Sequence, residues 1–306
     1  MSCPDASVFV EGSENYGLGA RHWGRLAAVL LTSFSLGSGA NAADKAAYSL
    51  ANPTPDALLR DMTTDRPDIT EVPFTVDAGR VQIESNVLAF YASRHDSDGV
   101  ATKSYEFVNS NFRIGITHNT EASIIFQPYG LQRSSSPDGI GHTSGTGALL
   151  LRGKFNLWGN DSFGKPGSTA FALLPYVALP TNRNNGISPE TASGGLQTFF
   201  AVKFDGGFSL GMNAGLHSVK NTDAKEYHAE SSGSASLGYE WSEQFTTYVE
   251  AGVRLGTQDP LGDVGILGGG FAYKIGRNFQ LDGGVNFGVT RASDRINPFL
   301  GLSVRF

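Results

Sequence analysis

Residues 208–217 read Phe208-Ser209-Leu210-Gly211-Met212-Asn213-Ala214-Gly215-Leu216-His217. Successive side chains of a β-strand point to opposite faces, so this period of two puts Phe208, Leu210, Met212, Ala214 and Leu216 on one face. Ser209, Gly211, Asn213, Gly215 and His217 fall on the other. About ten residues at ~3.3 Å rise, tilted near 40°, span roughly 25 Å, the height of an outer-membrane apolar band. The pattern recurs where Phe279, Leu281, Val285, Phe287 and Val289 oppose Gln280, Asp282, Asn286 and Thr290, and again in the terminal Leu300, Leu302, Val304, Phe306. A soluble antiparallel sheet also alternates, but it hides its apolar face under a second layer. Here nearly every run needs the same cover, and lipid supplies it without a second layer.

Twelve such runs follow one another, at 80–93, 103–117, 121–133, 147–158, 168–180, 194–204, 208–219, 226–241, 245–256, 264–275, 279–290 and 298–306. Four joins are tight: His118-Asn119-Thr120, Asp205-Gly206-Gly207, Ser242-Glu243-Gln244 and Gly276-Arg277-Asn278. The joins between them are generally longer and polar, with 159–167 an exception among the short set. Short turns at one end and long loops at the other are the asymmetry of a transmembrane barrel, and an even strand count closes it with both chain ends on the short-turn side. The expected fold is all-β: a transmembrane antiparallel up-and-down barrel of about 12 strands over residues 79–306. Aromatics gather near the short turns (Phe155, Phe204, Phe208, Tyr239, Trp241, Phe245, Phe279), as an interfacial girdle would; Trp158 falls on lumen parity. Composition agrees. Of 306 residues 39 are Gly, only 17% are charged, and 20 Phe with 10 Tyr exclude a disordered chain. The net charge of -6 leaves no basic surplus for a nucleic-acid partner.

Ahead of the barrel, Leu26 to Leu36 is apolar but far shorter than the ~20 residues of a spanning helix. Arg21 and Arg25 precede it and Ala40-Asn41-Ala42 follows, giving the basic, apolar and cleavage regions of a secretory signal peptide over residues 1–42. Asp5, Glu11 and Glu14 are foreign to such a signal, which suggests a start assigned too far upstream. Cleavage after Ala42 would remove Cys3, the single cysteine, so neither disulfides nor thiolate chemistry is expected of the mature chain. Residues 43–78 form a polar segment with Pro53, Pro55, Pro67 and Pro73 opposing helix.

The charges on lumen parity are mixed: Glu84, Arg113, Arg152, Lys154, Lys203, Glu230, Glu240, Glu250, Arg254, Lys274, Asp282 and Arg305. They invite pairing across the interior or with Asp65, Arg66, Asp68 and Glu71 of the polar segment, which would then enter from the short-turn side as a small plug. His217 and His228, with Glu230 nearby, suit a polar pore-mouth lining better than a metal site, because no spacing rule forces them together. Three further spellings carry no chemistry. Gly159 to Lys165 has phosphate-loop spacing but Pro166 in place of Ser or Thr and no following helix. Ser209 between Gly207 and Gly211 lies in a strand, not at a strand-turn-helix corner. Gly268-Gly269-Gly270 suits a bend in the barrel wall. No cofactor, metal or catalytic residue is assigned.

Two segments are more specific than the periodicity. The first runs from Met62 through Asp65-Arg66-Pro67-Asp68, Thr70-Glu71 and Pro73-Phe74, continuing to Gly79-Arg80, Gln82 and Glu84; the second runs from Leu149 through Arg152, Lys154, Asn156-Leu157-Trp158-Gly159 to Asp161. With Phe171 to Thr181 they resemble the outer-membrane proteins grouped as the "meta-pathway of phenol degradation" transporter-like family, in order and spacing over most of the mature chain. The terminal Val304-Arg305-Phe306 is similar to the aromatic signature by which barrel-assembly machinery recognises its clients. The resemblance implies a transporter-like barrel in the outer membrane of a Gram-negative bacterium, in contact with outer-membrane lipid and a small-molecule solute.

The leading functional expectation is a porin-like channel for passive passage of small solutes, aromatic or hydrophobic compounds among them, and not an enzyme. Two alternatives stay open: a barrel enzyme of phospholipase type, which needs Ser and His on the lipid-facing parity near the outer rim, and a closed barrel with a structural or adhesive role.

Overall fold

In the computed structural model the run that begins at Phe208 becomes a strand of 13 residues, and its sequence neighbours pair with it on both sides. The structure describes residues 45–67, 69–96, 98–137, 139–182, 187–221, 226–258 and 262–306. The expected signal peptide lies outside the described residues, as does Asp68. Fourteen strand segments are present: β1 (Val81–Ala92), β2 (Ala101–Thr117), β3 (Thr120–Phe126), β4 (Tyr129–Ser136), β5 (Gly139–Gly145), β6 (Leu149–Trp158), β7 (Thr169–Leu179), β8 (Ser193–Lys203), β9 (Phe208–Lys220), β10 (Tyr227–Glu240), β11 (Phe245–Leu255), β12 (Val264–Lys274), β13 (Phe279–Gly288) and β14 (Asn297–Arg305). Helix among the described residues is confined to the short turns Asp56–Leu58 and Asp205–Gly207.

β3 and β4 both pair with β2 and are one stave broken at Gln127-Pro128, where proline supplies no amide hydrogen to the ladder. β5 and β6 pair with β4 and β3 respectively and form the next stave, broken at 146–148. The result is twelve antiparallel staves. β1 pairs with β2 on one side and β14 on the other, so Gln82 lies between Arg113 and Arg305 and the sheet closes on itself. Closure satisfies backbone groups that would cost several kcal/mol each if left unpaired in hydrocarbon. The expected long loop after residue 133 is instead strand: Ser136 pairs with Gly139, and β4 and β5 continue as a hairpin.

Burial is inverted relative to a soluble protein. Leu216 is 67% exposed, Val249 62% and Leu300 58%, while Arg113, Lys154, Glu84 and Glu121 are fully buried. An apolar exterior and a polar interior follow when lipid is the outer solvent. The fold is therefore a transmembrane β-barrel with an N-terminal segment.

Two irregularities change which residues face inward. Pairing between β1 and β14 slips at Asn86/Leu88, and Val108 on β2 takes φ 54°, strained for a β-branched residue. Parity inverts at Val87 and Val108 together. Gln82, Glu84 and Asn86 face the lumen before the slip, and Tyr91 after it; Glu106 and Asn109 are both buried on either side of Val108. A second bulge between Asn156 and Trp158 overturns the lumen parity expected for Trp158. Its ring faces outward and stacks on Phe171 with centroids 4.9 Å apart, while its indole N–H donates to Thr169 Oγ1 at 3.2 Å. Trp158 thus joins the short-turn belt, where Phe208, Tyr239 and Trp241 pack ring to ring.

Candidate functional site: a charged segment inside the lumen

The polar, proline-bearing stretch before β1 cannot form strand ladders of its own, and its polar groups find partners on the inner wall. At the short-turn end Arg60 Nη1 donates to the carbonyl of His118 at 3.0 Å, and Asp77 faces Arg60 (3.0 Å), Lys45 (3.6 Å) and Arg305 (3.7 Å). Further in, Glu84 Oε2 accepts the amides of Asp65 (2.9 Å) and Arg66 (3.2 Å). The Arg66 guanidinium donates to Asn86 and, at 2.7 Å, to Asp282. The Ile69 amide and the Thr70 hydroxyl reach Glu250 at 2.9 and 3.4 Å. The chain then returns, with the carbonyls of Pro73 and Phe74 accepting from Asn156 and Arg113 and the Val76 amide donating to Glu121 at 2.8 Å. Residues 60–67 therefore enter from the short-turn end and reach mid-height, and residues 69–77 lead back.

Arg113 is the hub. Its Nη1 donates to Glu84 at 2.6 Å, its Nε and Nη2 hold Glu121 at 2.9 Å each, and Asp65 lies at 3.5 Å. Asp65 also meets Lys154 and Arg152, and Arg152 meets Glu71. Buried ion pairs roughly break even against apolar packing of the same volume, so this cluster is poor evidence of extra stability. What it fixes is position, because any other seat for the segment leaves several buried charges alone. Glycines complete the seat. A Cβ on Gly301 would lie 2.1 Å from the Arg66 guanidinium, and one on Gly252 would lie 2.5 Å from Ile69 Cδ1. Replacing Gly301 by Leu is expected to expel the Arg66 side chain and give a single-channel current between those of the intact and segment-free chains; a current equal to the intact chain's would mean that the apex does not depend on this socket.

Not every sequence-derived lumen residue joins this cluster. Lys203 pairs with Glu240 at 2.6 Å at the short-turn rim, where Glu240 is half exposed; Lys274 and Arg305 also sit at that end. Towards the long loops Arg254 pairs with Glu230, which accepts from His228 at 2.8 Å. His217 takes separate partners, Tyr176 Oη at 2.7 Å and Ser232 Oγ at 2.8 Å. Among the described residues no group of His, Cys, Asp or Glu is arranged to hold a metal.

Above the apex the wall and the segment line a partly open cavity of about 220 Å³. Sequence reading passed over much of its lining: Tyr91 and Phe299 on the apolar side, and Asn86, Asn109, Asn111 and Asn297 on the polar side; Asn213 and Asn286, which also line it, were expected on the polar face. Neutral amides form no motif, but their recurrence at lumen positions was the available signal. Over the outer mouth Arg94 donates to the carbonyls of Gly288, Thr290 and Ser293 at 2.7–3.0 Å, clamping the loop before β14. Burial raises the Asp294 carboxyl in this loop to about 6, against the pull of Arg94.

A family profile described as "Putative MetA-pathway of phenol degradation" matches residues 64–306. The chain belongs to this family. The phenol-degradation profile begins inside the lumenal segment, one residue before Asp65, so segment apex and barrel are matched together. Among solved structures the COG4313 outer membrane channel from Pseudomonas putida F1 is similar, with TM-score 0.57 and 13% identity over 80% of this chain and 100% of that one. The transport unit of the autotransporter AIDA-I from Escherichia coli aligns with TM-score 0.48 and 9% identity over 74% of this chain and 90% of that one. No curated protein matches the sequence.

Proposed function

We propose that this protein is an outer-membrane channel through which small solutes pass passively, aromatic and hydrophobic compounds among them, with residues 60–77 restricting the passage as a plug. One observation carries the reading: a barrel with an apolar exterior holds a polar lumen in which a seated segment leaves a chamber of molecular size instead of a filled core. Twelve strands give an interior between the side-chain-filled eight-stranded barrels and the water-filled sixteen-stranded porins. The similarity to an outer membrane channel supports the same reading. Export through the N-terminal signal and assembly through the exposed terminal Phe306 would deliver the chain to that membrane. A phospholipase role finds no support in His217 and His228, both of which are occupied inside the barrel.

Liposomes containing the protein are expected to swell in isosmotic solutions of small uncharged solutes faster than protein-free liposomes, with rates falling as solute size exceeds that of the chamber. Swelling no faster than in protein-free controls for every solute would overturn the channel reading.

A further inference from the structure

Inverted parity at Val108 turns the odd-numbered residues of the outer part of β2 away from the lumen, so that Phe107, Tyr105 and Lys103 follow one another up the lipid-facing wall. The ladder sets Arg133 of β4 opposite Lys103, and His142 of β5 opposite Arg133. All three side chains are exposed. Towards the membrane from this row, Phe90 packs on Tyr105 with centroids 5.1 Å apart and Phe107 on Tyr129 at 5.9 Å, as an outer interfacial belt would. The stretch of β2 from Ile114 to Tyr105, about ten residues, covers the ~25 Å apolar band. Lys103 and Arg133 therefore stand just beyond it, at the level of lipid headgroups. Like charges directly opposite on neighbouring strands destabilise the pair, and among the described residues neither Lys103 nor Arg133 pairs with a carboxylate. Asp96, in the loop before β2, turns its carboxylate to the amides of Asp98 and Val100. We infer that this row is a binding site for the terminal phosphate of a lipid headgroup in the leaflet at the long-loop end. A terminal phosphate carries a charge of about -1.5 to -2 and three acceptor oxygens, which two cations balance while the Arg133 fork and a His142 ring N–H engage the oxygens. The row faces sideways and continues an apolar wall that acyl chains cover, so the phosphate reaches it on a lipid and not as a soluble ion.

Dioleoyl phosphatidic acid and dioleoyl phosphatidylcholine share their acyl chains, and only the first bears a terminal phosphate. Native mass spectrometry of the full chain in a non-ionic detergent is expected to show one phosphatidic acid retained per chain, and phosphatidylcholine at least about tenfold more weakly. Lys103→Gln together with Arg133→Gln should weaken phosphatidic acid to about the phosphatidylcholine level. Lys165 is an exposed cation at the short-turn end, and Lys165→Gln should leave binding within about twofold. Equal retention of the two lipids, undiminished binding by the paired variant, or an equal loss from Lys165→Gln overturns the inference. Displacement of the lipid by an equal concentration of inorganic phosphate also overturns it, because the site would then belong to a soluble anion. The lipid comparison uses the unaltered chain, so it decides even where a variant does not fold.

Discussion

A chain lacking residues 43–75 is expected to form the same barrel and to pass a severalfold larger single-channel current than the full chain. The barrel's hydrogen-bond ladders run from β1 round to β14 without help from the segment, and β1 pairs directly with its two neighbours. The lumen differs. The segment places Asp65, Arg66, Ile69, Thr70 and Glu71 across mid-height, where wall groups on β1, β6, β11 and β13 hold it. Without it the remaining obstruction is wall side chains, and a twelve-strand interior is wider than those alone fill. Planar-bilayer recording checks this; an unchanged or smaller current would count against a plug.

The second large effect is expected at Arg113. Replacing it by Met removes the group that contacts Glu84, Glu121 and Asp65 together, leaving Glu84 without a cation among the described residues and the other two carboxylates to Lys154 and Arg152. Breaking a buried pair from one side costs about 3–5 kcal/mol, and for a chain of this size that corresponds to a fall of roughly 6–20 °C in thermal midpoint. Adding Glu121→Leu to Arg113→Met should recover part of the loss, since removing both partners is cheaper than orphaning one. Circular dichroism melts of the detergent-solubilised variants measure both effects. A single variant that melts with the unaltered chain would show that Arg113 does not organise the lumen.

Much of the architecture was legible because lipid and lumen impose opposite demands on neighbouring residues. The alternation at 208–217 and 279–290, with tight turns at 205–207 and 276–278, located strands that the structure reproduces within a residue or two. Three features were not legible. Paired irregularities at Val87 and Val108 invert parity without any Gly or Pro to announce them, which hid Tyr91 and Glu106. The bulge beside Asn156 turned Trp158 outward for the same reason. Several polar residues of the chamber lining are Asn, whose chemistry depends on what other side chains leave unpaired; that is a property of three-dimensional neighbours, not of spacing. For the lumenal segment, charge complementarity pointed to Arg113, Arg152 and Lys154, but its actual path also depends on backbone amides bonded to Glu84, Glu121 and Glu250. Glycines such as Gly252 and Gly301 stand where a side chain would collide with the segment.

The most direct test of a segment seated in the lumen is a cysteine pair, Ile69→Cys with Gly252→Cys, in a chain whose Cys3 is replaced by Ser. The Ile69 Cδ1 lies 2.5 Å from where a Cβ at 252 would be, so a seated segment holds the two thiols within reach of each other. The pair is expected to oxidise within one chain, and the locked protein to carry the same small current as the intact chain. A pair that stays reduced under oxidant, or a locked chain that conducts like the one lacking residues 43–75, would contradict the account.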